Sequence, residues 1–293
     1  MTDSDTASGA IRTLDHVGVV SADAEKLWPA YERMGFLLTP PTQQTGSPAP
    51  GEPPELLGTG NRCAMFMDGY LELLAIVDPA RPTRGFPERL ARYAGLHILA
   101  FGCDDADAAG AAMAARGAGV AGIAHLERTV DTPHGPELAR FSVIRPAPAE
   151  APECHLNVLQ HHTPAALWQP RYLIHPNGAQ ALAAATLCVA DPERAAARYG
   201  RLLGHDPQRQ GPGWRLRPGR GVLDVVGPET MFFLFGTEAP VLPFVAAFAV
   251  RVDSLATVEA ILLANGVPFA VLDGRICTDP AAGGGAVCVF QED

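Results

Sequence analysis

Apolar and polar positions along the chain repeat one pattern four times: a strand-like apolar run, a short acidic break, then an apolar stretch with helical spacing. The four copies are LDHVGVVSADAEKLWPAYERMGF, GLHILAFGCDDADAAGAAMAARGA, ALAAATLCVADPERAAARYGRLLG and FVAAFAVRVDSLATVEAILLANGV. An Asp stands at each predicted helix start, at Asp23, Asp104 or Asp105, Asp191 and Asp253, where a carboxylate accepts from free amides and complements the helix dipole. Each helix meets a Gly that can take the left-handed terminal conformation, at Gly35, Gly117, Gly204 and Gly266. Shorter β-like pieces follow every helix: NRCAMFMDGYLELLAIV, then RFSVIRP with CHLNVLQ, then VLDVVGPETMFFLF, then RICTDPAAGGGAVCVF.

The expected class is therefore α+β, with four βαβββ modules. One such module cannot cover its own sheet, so the copies are expected to pair into two units. The first unit spans residues 12–165 (modules 12–79 and 93–165) and the second 178–293 (modules 179–237 and 243–293). The stretch HHTPAALWQPRYLIHPNGA places their boundary near residues 165–178, and residues 40–58 read as a Pro-rich loop inside the first module.

Composition narrows the function classes. A chain of 293 residues, 47% hydrophobic and 18% charged, has the makeup of a core-forming protein. Its net charge of -10, from 22 Lys+Arg against 32 Asp+Glu, leaves no basic stripe for nucleic acid. Six cysteines without a Cys-x-x-Cys pair argue against a zinc knuckle or dithiol centre and read as buried small hydrophobes. No apolar run is long enough to span a membrane, and the start MTDSDTASGA is acidic rather than signal-like, so a cytoplasmic location and a small-molecule ligand are expected.

LDHVGVV with a helix ending in ERMGF, followed by GTGNRCAMFMDGYLELLAIVDP, resembles the opening module of glyoxalase-like members of the vicinal oxygen chelate superfamily, which includes glyoxalases, bleomycin-resistance proteins and extradiol dioxygenases. QHHTP, HPNGA and GRICTDP resemble its longer, four-module subgroup, and the likeness runs from about residue 12 onward. It implies two cup-shaped half-barrels, with a divalent metal in a cup held by a His on each first strand and a carboxylate on a last strand. Counting seven residues back from each helix-start Asp gives His16, His97, Ala184 and Ala246, so the first cup is the expected active one and the second is degenerate. Glu72, in an apolar strand seven residues before Pro79, supplies the carboxylate, and Asn157 occupies the corresponding place before Pro164. The resemblance thus points to His16, Glu72 and His97, with Asn157 at a fourth place, around Fe, Mn, Ni or Zn.

Glu72 is also the expected base. Arg62, beside Asn61 in GTGNR, reads either as a bidentate anchor for a carboxylate or enediolate or as a solvated surface arginine. His161 and His155 share the strand phase of Asn157 and are alternative ligands or bases, His161 also being placed to pack on Trp168 and Tyr172; Gln160 would face inward only across a bulge. His175 is expected to order the turn into the third module, and His125, Arg128 and His134 are read as structural. Two functions stand open: a divalent-metal isomerase, lyase or oxygenase acting on a small oxygen-rich metabolite, or a metal-independent binding protein of the bleomycin-resistance type. Open strand edges leave room for a homodimer.

Overall fold

The structure is a computed structural model describing residues 10–46 and 53–293. The acidic start and the middle of the Pro-rich loop lie outside the described residues. The first module comprises β1 (Ile11–Ser21), α1 (Ala24–Arg33), β2 (Thr42–Gly46), β3 (Glu55–Met65) and β4 (Tyr70–Ile76). After α2 (Phe86–Leu90), the second holds β5 (Gly95–Cys103), α3 (Ala106–Ala115), β6 (Val120–Thr132), β7 (Gly135–Pro146) and β8 (His155–His161). Past α4 (Pro164–Leu167), the third has β9 (Ala179–Cys188), α5 (Pro192–Leu203), β10 (Gln208–Gln210), β11 (Gly213–Leu216) and β12 (Val222–Val226). Beyond α6 (Pro228–Phe235), the fourth has β13 (Phe244–Val252), α7 (Leu255–Ala264), β14 (Phe269–Leu272), β15 (Arg275–Thr278) and β16 (Val287–Gln291).

All four copies have the βαβββ order. In each half the two first strands pair antiparallel, β1 with β5 and β9 with β13, and each first strand pairs parallel with the last strand of its own module. The halves meet in one unclosed sheet through the single pair Val245 and Leu96, with isolated bridges at Thr13/Arg220 and Asp68/Ala181.

Side chains alternate across the sheet, and one face carries the main core. Val17, Val19, Leu99 and Phe101 on the central strands pack there with Leu27 and Tyr31 of α1, Met113 of α3, Tyr199 of α5 and Leu262 of α7. The opposite face forms the concave side of each half. In the first half it is filled by Val20, Leu74, Phe86 and Ile98; in the second it is floored by Ala246, Ala247, Ala249, Val287 and Val289.

The helix caps refine the repeat. Asp23 and Asp191 accept from the backbone amides of Lys26 and Arg194, but the cap of α3 is Asp105 and that of α7 is Ser254, while Asp253 accepts from the side-chain Nε2 of Gln180 instead. Gly35, Gly117, Gly204 and Gly266 all have positive φ at the helix ends, the conformation that favours glycine there. Counting seven back from the observed caps gives His16, Ile98, Ala184 and Ala247. Register agrees: Gly18 faces Ile98 across β1 and β5, as Thr186 faces Ala247 across β9 and β13. Bulges insert an extra residue at corresponding points, Asp15 in β1, His97 in β5, Ala183 in β9 and Ala246 in β13.

Candidate functional site

The bulge in β1 sets two consecutive polar residues, Asp15 and His16, side by side under the sheet, each only 6% exposed. His16 Nδ1 lies 2.7 Å from Asp15 Oδ1, and His161 Nε2, at the end of β8, lies 3.1 Å from Asp15 Oδ2. Burial would raise the Asp15 carboxyl, but hydrogen bonds from both imidazoles and their charge outweigh it and hold the group well below the usual carboxylate range. An ionised carboxylate only accepts, so the two facing ring nitrogens carry the protons. In a neutral ring that leaves His16 Nε2 and His161 Nδ1 as lone-pair acceptors. His161 Nδ1 is buried with no partner among the described residues. The rings are held by aromatic neighbours: His16 stacks on Tyr70 at 4.3 Å, and His161 stands edge-on to Trp168 at 4.9 Å. Asp15, His161 and Trp168 border a cleft of about 1260 Å³, whose far wall includes Arg217 and Arg220 from the second half.

Glu72 lies on the concave face of the first half, in register with Gly18, and is 8% exposed. Its Oε1 accepts from Asn61 Nδ2 at 2.5 Å and Gln44 Nε2 at 3.1 Å. Gln44 is itself fixed by Thr59, whose hydroxyl donates to Gln44 Oε1 at 2.8 Å. Burial, together with the Asp15 and Glu72 charges, pushes the Tyr70 phenol well above its ordinary value, and burial pushes the Cys63 thiol up to about 12. The Arg128 charge works against both shifts, and its buried Nε has no partner among the described residues, so this arginine belongs to the cup rather than to the hairpin turn.

The structure does not bring His97 to His16 and Glu72. His97 occupies the bulge and lies tilted against the Tyr93 ring at 4.1 Å, with Nε2 2.9 Å from the Tyr93 carbonyl. Burial lowers it to about 4, so near neutral pH the ring is uncharged and Nε2–H donates to that carbonyl. The strand position equivalent to His16 is Ile98. Asn157 faces Ala100, which in turn faces His16, so it lies on the same side of the sheet, two strands away from His16. His155 faces Ile98, stands edge-on to Phe86 and is lowered to about 4, chiefly by burial.

Arg62 lies on the opposite side. It pairs in register with Leu73, a residue of the helix-side core, and its guanidinium binds Glu32 Oε1 at 2.8 Å and the Thr39 carbonyl at 2.8 Å. It is a half-buried arginine fixed to α1 and to the segment after it. Gln160 is turned to α3, where it accepts from the Ala106 amide and donates to the Asp104 carbonyl. His175 takes the Leu37 amide on Nδ1 and donates from Nε2 to Met65, which ties the inter-unit segment to the first module.

Among the described residues no group of three His, Cys, Asp or Glu is gathered as a metal ion requires. Of the expected set, His16 and Glu72 share a face, His97 is bound elsewhere, and one Glu72 oxygen carries two amide donors. The residues present do not fit the three-ligand centre. Asp15 is the group that strand alternation conceals; the sign of it in the sequence is an acid beside a His within the otherwise apolar LDHVGVV.

A glyoxalase-like domain family model matches residues 14–203. The chain belongs to the glyoxalase-like domain family. With it the chain falls in the vicinal oxygen chelate superfamily, and no curated protein matches it. Among solved structures, this glyoxalase-like chain is similar to a hypothetical protein from Staphylococcus aureus (10% identity, TM-score 0.66, covering 97% of this chain and 100% of that one). It also resembles a mutant of 4-hydroxymandelate synthase from Streptomyces coelicolor (13%, 0.60, 97% and 93%). A third is BphC, a halotolerant catechol dioxygenase (14%, 0.51, 98% and 88%). At these identities the likeness is one of fold. No helix among the described residues is long and apolar enough to cross a membrane.

Proposed function

We propose that the glyoxalase-like chain binds a small oxygen-rich metabolite in the cleft beside its first cup and handles a proton on it through Asp15 and His161, without a three-ligand metal centre. The observation that carries this is the buried Asp15 carboxylate bonded to both imidazoles. In the neutral ring Asp15 holds the His161 proton on Nε2 and leaves Nδ1 as the acceptor. That nitrogen is closed off in this structure, so a ligand hydroxyl reaches it by displacing the packing over it; it then gives up its proton to the ring, and the imidazolium formed is stabilised by the carboxylate behind it. Trp168 fixes the ring plane, so the acceptor direction is set before a ligand arrives.

The test uses chelator-dialysed full-length protein and a panel of small 2-hydroxy acids, 2-oxo acids and catechols, followed by calorimetry. Saturable binding of a panel member is expected in the wild type and is expected to be lost in His161→Phe. Binding that appears only after a divalent metal is restored, or that is unchanged in His161→Phe, overturns the proposal. Nitrogen NMR of the imidazoles gives a second reading: the His161 proton should sit on Nε2 in the wild type, and finding it on Nδ1 removes the physical basis.

A further inference from the structure

The second half keeps one polar feature of the first and loses the rest. In register, Asp224 stands where Glu72 does, facing Thr186 as Glu72 faces Gly18. The strand positions of His16 and Asp15 are held by Ala184 and Ala183. Replacing imidazole and carboxylate by methyl groups removes volume from the concave face, and a cavity of about 590 Å³ opens there. That size lies within the range of roughly 300–1,000 Å³ in which proteins hold small organic molecules.

The floor of this cavity is apolar, built by Ala184, Ala247, Ala249 and Val289, and Leu234 and Phe235 of α6 stand at its side. Its rim is cationic, although the chain as a whole carries a net charge of -10. Three arginines and two aspartates line it, and one arginine is already matched: Arg215 clasps Asp224 through two parallel bonds of 2.6 and 2.8 Å. Arg275 and Arg217 have no hydrogen-bond or ion-pair partner among the described residues, and the remaining acid, Asp273, is exposed in the turn before Arg275. An apolar floor beneath two unmatched guanidiniums is complementary to a flat or branched apolar body that ends in a carboxylate.

We propose that the second cup is a metal-independent binding site for a small aromatic or aliphatic carboxylate, separate from the Asp15 and His161 site. Arg275 and Arg217 hold the carboxylate at the rim, and the alanine floor takes the apolar body.

Fluorine NMR with 4-fluorobenzoate as the probe and the neutral 4-fluorobenzamide as its isostere tests this on the full chain at low salt. The benzoate should bind saturably to the wild type, and the amide at least about tenfold more weakly, the loss expected for one charge-assisted bond. Arg275→Gln should weaken the benzoate by a similar factor. Ala249→Leu, which refills the floor, should abolish binding; if circular dichroism shows that variant misfolded, Ala184→Val takes its place with the same expectation. His161→Phe should leave the affinity unchanged, which keeps this site distinguishable from the cleft. Absence of saturable benzoate binding, equal binding of the amide, full binding by a correctly folded floor-filled variant, or equal weakening by His161→Phe overturns the proposal.

Discussion

Acidification from neutral pH to about pH 5 should destabilise this protein through His97 and His155, and the effect distinguishes a packed His97 from a metal-ligating one. Both imidazoles are lowered to about 4, burial being the first cause. In the unfolded chain each titrates near 6.5. Between those values the unfolded state binds protons that the native state does not, so stability rises with pH. The contribution is fully present above the unfolded value and is lost as pH falls from about 6.5 toward 4. At about pH 5 the loss is about 2 kcal/mol for His97, which is 2% exposed, and somewhat less for the half-buried His155. Against a total stability of about 5–15 kcal/mol, that is a large fraction. Asp15 acts in the same direction in a lower window: its native value is depressed, so its contribution is complete above about 4 and disappears below. The assay is equilibrium urea unfolding at a series of pH values for the wild type and His97→Leu. The variant should lose close to one proton from the slope of stability against pH over this range, whatever its absolute stability. An identical slope in the two proteins, or a wild type whose stability is flat between neutral pH and about 5, would refute the reasoning.

Two further substitutions probe the concave face of the first half. A Cβ at Gly18 would lie 2.7 Å from Ile98 Cβ, so Gly18→Ala should cost about 1–3 kcal/mol in thermal or urea unfolding, with most of it recovered against an Ile98→Gly background, which removes that Cβ. Additive losses in that double-mutant cycle would show that the clash is not the cause. Ile98→His places an imidazole at the strand position equivalent to His16, across Gly18 from Glu72, and should strengthen Co(II) binding, read from its visible spectrum, at least about tenfold over the wild type. A folded variant with no gain would mean that the face cannot gather three ligands.

The fold was legible because its signals are local and repeated. Four apolar runs, each followed by a cap and a glycine stop, need no tertiary knowledge, and every glycine named as a stop has positive φ in the structure. The site was legible only in part, because side-chain direction depends on single-residue offsets. Two aspartates stand in tandem before α3, and choosing Asp104 rather than Asp105 as the cap moves the aligned position from Ile98 to His97, the neighbouring residue on the strand. Bulges then put Asp15 beside His16, where strict alternation would have sent it to the helix face. Arg62 illustrates the same sensitivity: its neighbours Asn61 and Cys63 belong to the Glu72 side, and Arg62, one residue out of phase, binds Glu32 on α1.

The two halves divide polar chemistry from empty space, and the reason is volume. In the first half the concave face is occupied by its own side chains, with Phe86 from the segment after β4 laid over Val20, Leu74 and Ile98. Glu72 is consequently satisfied from within by Asn61 and Gln44, and Asp15 by His16 and His161. In the second half the same positions carry methyl groups and no large side chain replaces them, so the face stays hollow while Asp224 keeps its charge only because Arg215 clasps it. An unpaired carboxylate at that depth would be costly, and the fork of two bonds removes the cost without filling the cavity. Ala183, Arg217, Val222 and Gln291 border both the hollow cup and the cleft that reaches His161, so the two spaces adjoin along one wall. Where the first half sets imidazole and carboxylate, the second sets alanine, and the difference in volume is what leaves room for a ligand.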